Sequence, residues 1–505
     1  MFIEPYHRKP FFTIRYWLLA KIFLKLALLI FIVFLVLSRS ALPATERQAQ
    51  QPKLITLAEA VALALRHNRT IKSAYISRVL EKFDLEVVRD EFRPDLILSA
   101  STALTRQQEE ETLNTIIGAG FSLKVPTGGQ LALDFTQTII EPWEIPEEGF
   151  TNDVILSFKQ PLLRGGGIDV NRASQRLGER QEQANILNLK KTLINIITQV
   201  IHAYRRFLLV QHGVEINRLS LARSRKLLEV NKALIAAGRM AQVEIIQAEA
   251  DLANQELSFH ENENALDKAR LNLLKLLDID KHTLIAPVDK VVVKPVSLHL
   301  ETLQKQAQSN RPDYLQILLE RENAQTRLLL AENNRLWELD IITRYNITGT
   351  SDSWMEAQEK AGHLGKGDYS VGLALRIPLG DIQRERGVVA ARVKLRHAGI
   401  DVQELKENIE IEMLDAVRDI KIKWEQVKLA QRARKLSKRQ LDIELEKLKV
   451  NRSTNFRIVT FQNSLVLAEN SEIRAKIDYL NALTDLDVLL GATLERWGVK
   501  LSTAD

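Results

Sequence analysis

The chain has 505 residues, 45% apolar, 27% charged and 6% aromatic, and 70 Lys plus Arg against 64 Asp plus Glu leave a net charge of +6. That balance excludes a disordered or collagen-like chain and implies no nucleic-acid partner. With no Cys, disulfides, thiolate metal sites, Cys nucleophiles and a lipidated N-terminal Cys are all excluded; nine His without an H-x-x-x-H or H-E-x-x-H arrangement give no support to a zinc enzyme.

Arg8, Lys9, Arg15, Lys21 and Lys25 precede an unbroken apolar run over residues 26–37, followed by Ser38, Ser40, Ala41, Pro43 and Ala44. A charged region, an apolar stretch and a small-residue exit make residues 1–44 an export signal or N-terminal anchor. The apolar run is short of the ~20 residues that cross a bilayer, so a cleaved signal is the first reading. Extended back to Trp17 across Lys21 and Lys25, the same segment would make a signal anchor.

The rest is a tandem duplication, with a first repeat over 54–290, a second over 298–495 and a tail at 496–505. Glu59, Asn68 and Arg69 recur as Glu301, Asn310 and Arg311, an offset of 242; Gly238 and Arg239 recur as Asn451 and Arg452, an offset of 213. The first copy therefore carries 29 extra residues between these landmarks.

Each repeat opens on a helical pattern, 56–91 and 299–336, and then the period changes to two. Leu96, Leu98 and Leu104, then Phe121 and Leu123, then Leu131, Leu133 and Phe135, then Val154, Leu156 and Phe158 alternate with small or polar residues. The second half repeats this with Leu339, Ile341, Tyr345 and Ile347, and with Val371, Leu373 and Leu375. Residues 119–138, with the turn Pro126-Thr127-Gly128-Gly129, form an additional hairpin that adds strands to the sheet, folds inward or lies at a rim. One side of these segments is an apolar band; the other carries Lys124, Asp134, Lys159, Arg344 and Arg376. Segments of about 8 to 10 residues with this dyad pattern suit a transmembrane barrel wall, apolar toward lipid and polar toward a lumen. A soluble sheet with one wet face has the same alternation. The export segment, and Trp143 and Trp354 just beyond strand ends, favour the membrane.

A Gly turn at 165–167 and Pro378-Leu379-Gly380 then lead into very long helices, 169–235 and 384–450. Ile186, Leu189, Leu193, Ile196, Val200, Phe207 and Val210 form a coiled-coil seam on the first. Roughly 67 residues extend about 100 Å, and return helices at 242–277 and 456–490 are about half as long. An opening helix stacked end to end on a return helix matches the long one, so each chain makes a four-stranded helical wall attached to strands at one end. Neither wall nor sheet closes within one chain, and both ask for an oligomer around a hollow interior.

T-L-A-E-A-V-A-L-A-L-R-H-N at 56–68, Q-P-L-L-R-G-G-G at 160–167 and G-R-M-A-Q-V-E-I-I-Q-A at 238–248, in this twice-repeated element order, resemble the TolC-type outer-membrane efflux duct family over about residues 54–495. The resemblance implies a mainly α fold with β: tandem-repeat coiled-coil hairpins joined to transmembrane strands, assembled as a homotrimeric β-barrel plus periplasmic α-barrel. It implies a passive outer-membrane channel of a Gram-negative tripartite efflux or type I secretion system, set in outer-membrane lipid and fed by a periplasmic adaptor and an inner-membrane pump. The family commonly gives four strands per chain and twelve per trimer, so the extra hairpin is a departure. Carried over residue by residue, the adaptor-contact tips are Gly238, Arg239, Asn451, Arg452, Ser453 and Thr454. Glu244 matches an acid that constricts the periplasmic mouth, whereas Arg457 and Thr460 stand where some members place aspartates. The expectation for this chain is a Glu244–Arg457 charge pair that holds the gate shut.

An enzyme is not expected, because no G-x-S-x-G, P-loop or paired-carboxylate motif is present; no cofactor and no metal are expected either. The alternative from another class is a periplasmic coiled-coil spacer or adaptor tethered by an uncleaved N-terminal segment. The alternating strands speak against it, since a spacer has no use for a lipid-facing band.

Overall fold

A computed structural model of the chain describes residues 52–107, 110–141, 149–450 and 452–500. The export segment 1–44, Trp143, Asn451 and the end of the tail lie outside the described residues. The first half comprises helices α1 (Leu57–His67) and α2 (Arg69–Asp90), strands β1 (Asp95–Gln107), β2 (Glu110–Lys124), β3 (Gln130–Glu141) and β4 (Phe150–Pro161), the long helix α3 (Ala173–Ala236) and the return helix α4 (Glu244–Leu277). The second half repeats the order with α5 (Leu300–Asn310), α6 (Pro312–Arg335), β5 (Glu338–Ser351), the short helix α7 (Trp354–Ala361), β6 (Asp368–Arg376), the long helix α8 (Ile382–Lys449) and the return helix α9 (Asn455–Leu489).

Helix α1 starts at a capping box: the Thr56 hydroxyl accepts from the Glu59 N–H at 3.2 Å, and the Glu59 carboxylate accepts from the Thr56 N–H at 2.8 Å. The continuous helix expected over 56–91 breaks at Asn68. The Asn68 side-chain oxygen accepts from the N–H groups of Thr70 and Ile71 and so starts α2. The second half breaks at the matching residue, Arg311, which Pro312 forces into extended backbone.

Both breaks serve the same stack. Asn68 Nδ2 donates to Leu276 O at 2.8 Å and Arg69 pairs with Asp278 at 2.7 Å, so α2 begins where α4 ends. In the second half α6 begins where α9 ends: a Cβ on Gly491 would stand 2.5 Å from Asn310 O. Asp278 and Gly491 are 213 residues apart and both left-handed, with φ of 52° and 65°. The 64 residues of α3 pack along α2 and α4, and the 68 residues of α8 along α6 and α9. Since α3 also meets α6 and α9, the layer order is α2 with α4, then α3, then α6 with α9, then α8. Leu193, Ile197, Val200, Tyr204 and Phe207 of α3 form a first core with α1 and α4; Ile409, Met413, Ile420 and Val427 of α8 form a second with Ala307, Tyr479 and Leu486. Of the seam expected on α3, Ile186 is only half-buried; the other six residues are buried.

Among the described residues these six strands form one antiparallel sheet in chain order, β1 to β6, while the short strands Lys53–Ile55 and Ile285–Pro287 pair apart from it. Here the additional hairpin finds its place: β2 and β3 lie in the plane of the sheet between β1 and β4. Its turn is stitched to the Gly-rich loop before α3, where Gly167 N–H donates to Thr127 O at 3.0 Å. A Cβ on Gly128, whose φ is 95°, would stand 2.2 Å from Gly165 O. The strands run to 15 residues in β2, longer than their alternation implies. Helix α7, between β5 and β6, was not foreseen. It lies on β4 and β5 so closely that a Cβ on Gly349 would stand 2.2 Å from Ala357 O.

Candidate functional site

The register decides which side chains share a face. A row across the sheet passes through Asp95, Ser122, Ala132, Ser157, Arg344 and Ser370, and the next runs through Lys124, Gln130, Lys159 and Ile342. Because faces alternate along a strand, Lys124, Asp134, Lys159, Arg344 and Arg376 all fall on this one face. The opposite face carries Leu96, Leu98, Phe121, Leu133, Phe135, Leu156, Ile341, Val371 and Leu373. Among the described residues nothing covers that band over most of its extent: Leu98 is 76% and Leu373 73% exposed. Its far end is covered by α7, where Asn152 Nδ2 donates to Gln358 Oε1 at 3.2 Å. Trp354, the first residue of α7, is half exposed there.

The charged face is tied together where strands meet helices. Lys159 Nζ stands 2.9 Å from Asp340, and Lys124 pairs with Glu91 at the end of α2. Glu338, the first residue of β5, receives Arg164 at 2.5 Å, Arg376 at 3.3 Å and Arg384 at 3.5 Å. Glu338, Arg164 and Arg384 were not singled out from sequence. The signal lay in the position of Glu338 at the change from helical to strand period, and of Arg164 within Q-P-L-L-R-G-G-G.

At the other end of the long helices the two hairpin tips are built alike. In the first, Gly238 takes φ of 70°, its N–H donates to Ile235 O at 2.9 Å, and Arg239 N–H reaches Leu234 O at 2.8 Å. In the second, Arg452 N–H closes the same six-residue loop onto Lys447 O at 2.9 Å. Thr454 precedes α9 in extended backbone, and Ser453 Oγ donates to Glu444 at 2.8 Å. Buried Asn455 donates to the Met240 sulfur at 3.4 Å, which joins one tip to the other.

The expected Glu244–Arg457 pair does not form in this chain. Arg457 stands 3.6 Å from Glu444, across its own hairpin, and Glu444 also holds Lys447 at 3.1 Å. The reason is geometric: Glu444 and Arg457 flank one tip at nearly equal distance along the chain, whereas Glu244 opens the return helix of the other hairpin. Hydrogen bonds from Ser453 and then Lys447 hold the Glu444 carboxyl below its ordinary range. Thr460 joins no such contact; its hydroxyl donates back to Phe456 O at 2.8 Å.

Two apolar stripes stay uncovered on the helical wall. Ile76, Val79, Leu80, Phe83 and Val87 line the outer face of α2, and Ile422, Leu429, Leu436 and Ile443 recur every seven residues on α8. These helices are the edges of the wall, and they continue into the edges of the sheet: α2 leads into β1, and β6 leads into α8.

Residues 60–278 match the outer membrane efflux protein family. No curated protein matches the chain. Among solved structures it is similar to the CmeC outer membrane channel of Campylobacter jejuni, with 15% identity over 89% of this chain and 87% of that one and a TM-score of 0.66. The VceC outer membrane protein of Vibrio cholerae shares 14% identity over 86% and 96% of the two chains, with a TM-score of 0.64. The open-state MtrE outer membrane channel of Neisseria gonorrhoeae shares 14% over 89% and 91%, with a TM-score of 0.63. Residues 60–278 thus match the outer membrane efflux protein family, in keeping with the TolC-type motifs, and the chain along most of its length has the fold of these channels.

Proposed function

We propose that the chain is the passive outer-membrane duct of a tripartite efflux or secretion system in a Gram-negative bacterium. Three copies surround a water-filled passage, the sheet in the outer membrane and the helical wall in the periplasm. Residues 1–44 direct export. Cargo arrives from an inner-membrane pump through an adaptor that meets the tips at Gly238, Arg239, Asn451, Arg452, Ser453 and Thr454. Lys124, Asp134, Lys159, Arg344 and Arg376 face the passage, and Glu244 lies near its periplasmic mouth. The chain carries out no catalysis in this reading.

One observation carries the proposal: a single-layer sheet with a charged face and an opposite apolar face that the chain leaves largely bare. In water that bare band would cost roughly 25 cal/mol for each Å² exposed, whereas in a bilayer it meets hydrocarbon. A tethered periplasmic spacer gives it no role. The test is fractionation and conductance of the full chain. We expect a heat-modifiable, detergent-extracted oligomer in the outer-membrane fraction that conducts ions in planar bilayers. A freely soluble, non-conducting monomer would overturn the reading.

A further inference from the structure

We infer that three copies close a barrel of eighteen strands, with β1 of each chain against β6 of the next in the register that sets Asp95 opposite Arg376. The inference rests on the duct reading and goes further, to the number of strands and the atoms at the seam.

The strand number follows from the sheet. Six strands lie in one plane in chain order, β2 and β3 included, so the additional hairpin widens the sheet and does not fold into the lumen. An even number per chain makes β1 and β6 run in opposite directions, and every junction between copies is then antiparallel like those within the chain.

Three features agree on this register. The first is charge. Asp95 and Arg376 both sit at the helix-proximal ends of the edge strands and on the same polar face, so this alignment places opposite charges side by side. The second is the apolar pattern. The same alignment sets Leu96 opposite Leu375, Leu98 opposite Leu373 and Ala100 opposite Val371, all on the bare face, and Ser101 opposite Ser370 on the other. A slip of one residue would place leucines against the polar row.

The third is closure. The hydrogen-bonded row that leaves Asp95 ends at Ser370 within the chain. This seam carries it on to Ser101 of the next copy, six residues further out than it began. Three such steps give a stagger of about 18 residues around eighteen strands, hence a tilt of about 35°, at the lower end of the usual range of ~35–45° for closed barrels. A sheet edge alone does not name its partner. Here the opposite edge of an identical chain supplies the complementary charge, the matching apolar residues and the required stagger. It also brings the bare stripe of α2 alongside that of α8.

The absence of Cys makes the seam directly testable. Ser101→Cys with Ser370→Cys in the full chain, extracted as trimers and oxidised with copper phenanthroline, should give a covalent trimer on non-reducing gels. Leu98→Cys with Leu373→Cys should do the same from the other face. Directly opposed Cβ atoms lie about 4.5–5.5 Å apart, close to what a disulfide needs. Either single variant, and the displaced pair Ser101→Cys with Ala374→Cys, should give no trimer band. Asp95→Arg should lower the trimer fraction, and adding Arg376→Asp should restore it. Intact trimers that cross-link through neither aligned pair, or that cross-link best through the displaced pair, would overturn the inference and leave the duct reading standing. A detergent extract without trimers would overturn both.

Discussion

The helical wall and the sheet of this chain solve the problem of apolar surface in opposite ways. The wall is one unit built twice, and each copy buries its own seam: Leu193, Ile197 and Phe207 in the first, Ile409, Met413 and Val427 in the second. The sheet is uneven, four strands from the first half and two from the second, and one face of it has almost nothing to pack against. The wall therefore holds two cores within the chain and leaves only its edge stripes on α2 and α8 bare, while the sheet leaves most of one face to its surroundings.

The largest effect should come from the wall. Phe207→Ala removes a side chain that is 2% exposed in the first core and should cost about 3–5 kcal/mol, read as a lower denaturation midpoint of the helical circular dichroism signal. Leu98→Ala should leave that midpoint unchanged; a comparable loss there would mean that the sheet has a core of its own. Next comes the bare face. Leu373→Arg should cost about 2–4 kcal/mol in the bilayer and deplete the protein from the outer membrane, whereas Ser370→Arg on the other face should still assemble. Equal tolerance of both would remove the distinction between faces.

The smallest effect sharpens the comparison within the wall, at the break between α5 and α6. Buried Arg311 reaches Asp313 at 2.7 Å and Glu412 at 2.5 Å. Burial pushes the Asp313 carboxyl up, but the Arg311 hydrogen bonds outweigh it and hold the carboxyl below its ordinary range. A lowered folded value means stability that is present above the unfolded carboxyl pKa of about 3.9 and lost as the pH falls through the folded value. Arg311→Ala should therefore cost about 1–3 kcal/mol at neutral pH. It should also flatten the acid limb of a melting curve against pH below about pH 4; an unchanged limb would assign the acid sensitivity elsewhere.

Most of the helices were legible because their signals are long. The return helices start within two residues of their expected positions, and the long helices end within one. The two helix breaks were not read, although each has a cause in the sequence. Arg311 precedes a proline, and Asn68 is a residue whose side chain competes for backbone N–H groups. Strand β2 was read short because Glu110, Glu111, Asn114, Gly118 and Gly120 blur its alternation. Helix α7 escaped because WMEAQEKA has too few turns to show a period. The charged face followed from parity alone. The gate pair did not, because the helical pattern does not say which of two neighbouring hairpins a side chain faces; equal distance from one tip pointed to Glu444.

The duplication is even at the tips and uneven at the strands. Each chain ends its long helices in two loops of the same hydrogen-bonded design, Gly238-Arg239 in one and the loop closed by Arg452 in the other. A ring of three chains would be sixfold in pseudo-symmetry at the helical end and strictly threefold at the strand end. Six tips of like design would then stand at one end of such a ring, and three copies of the uneven sheet at the other.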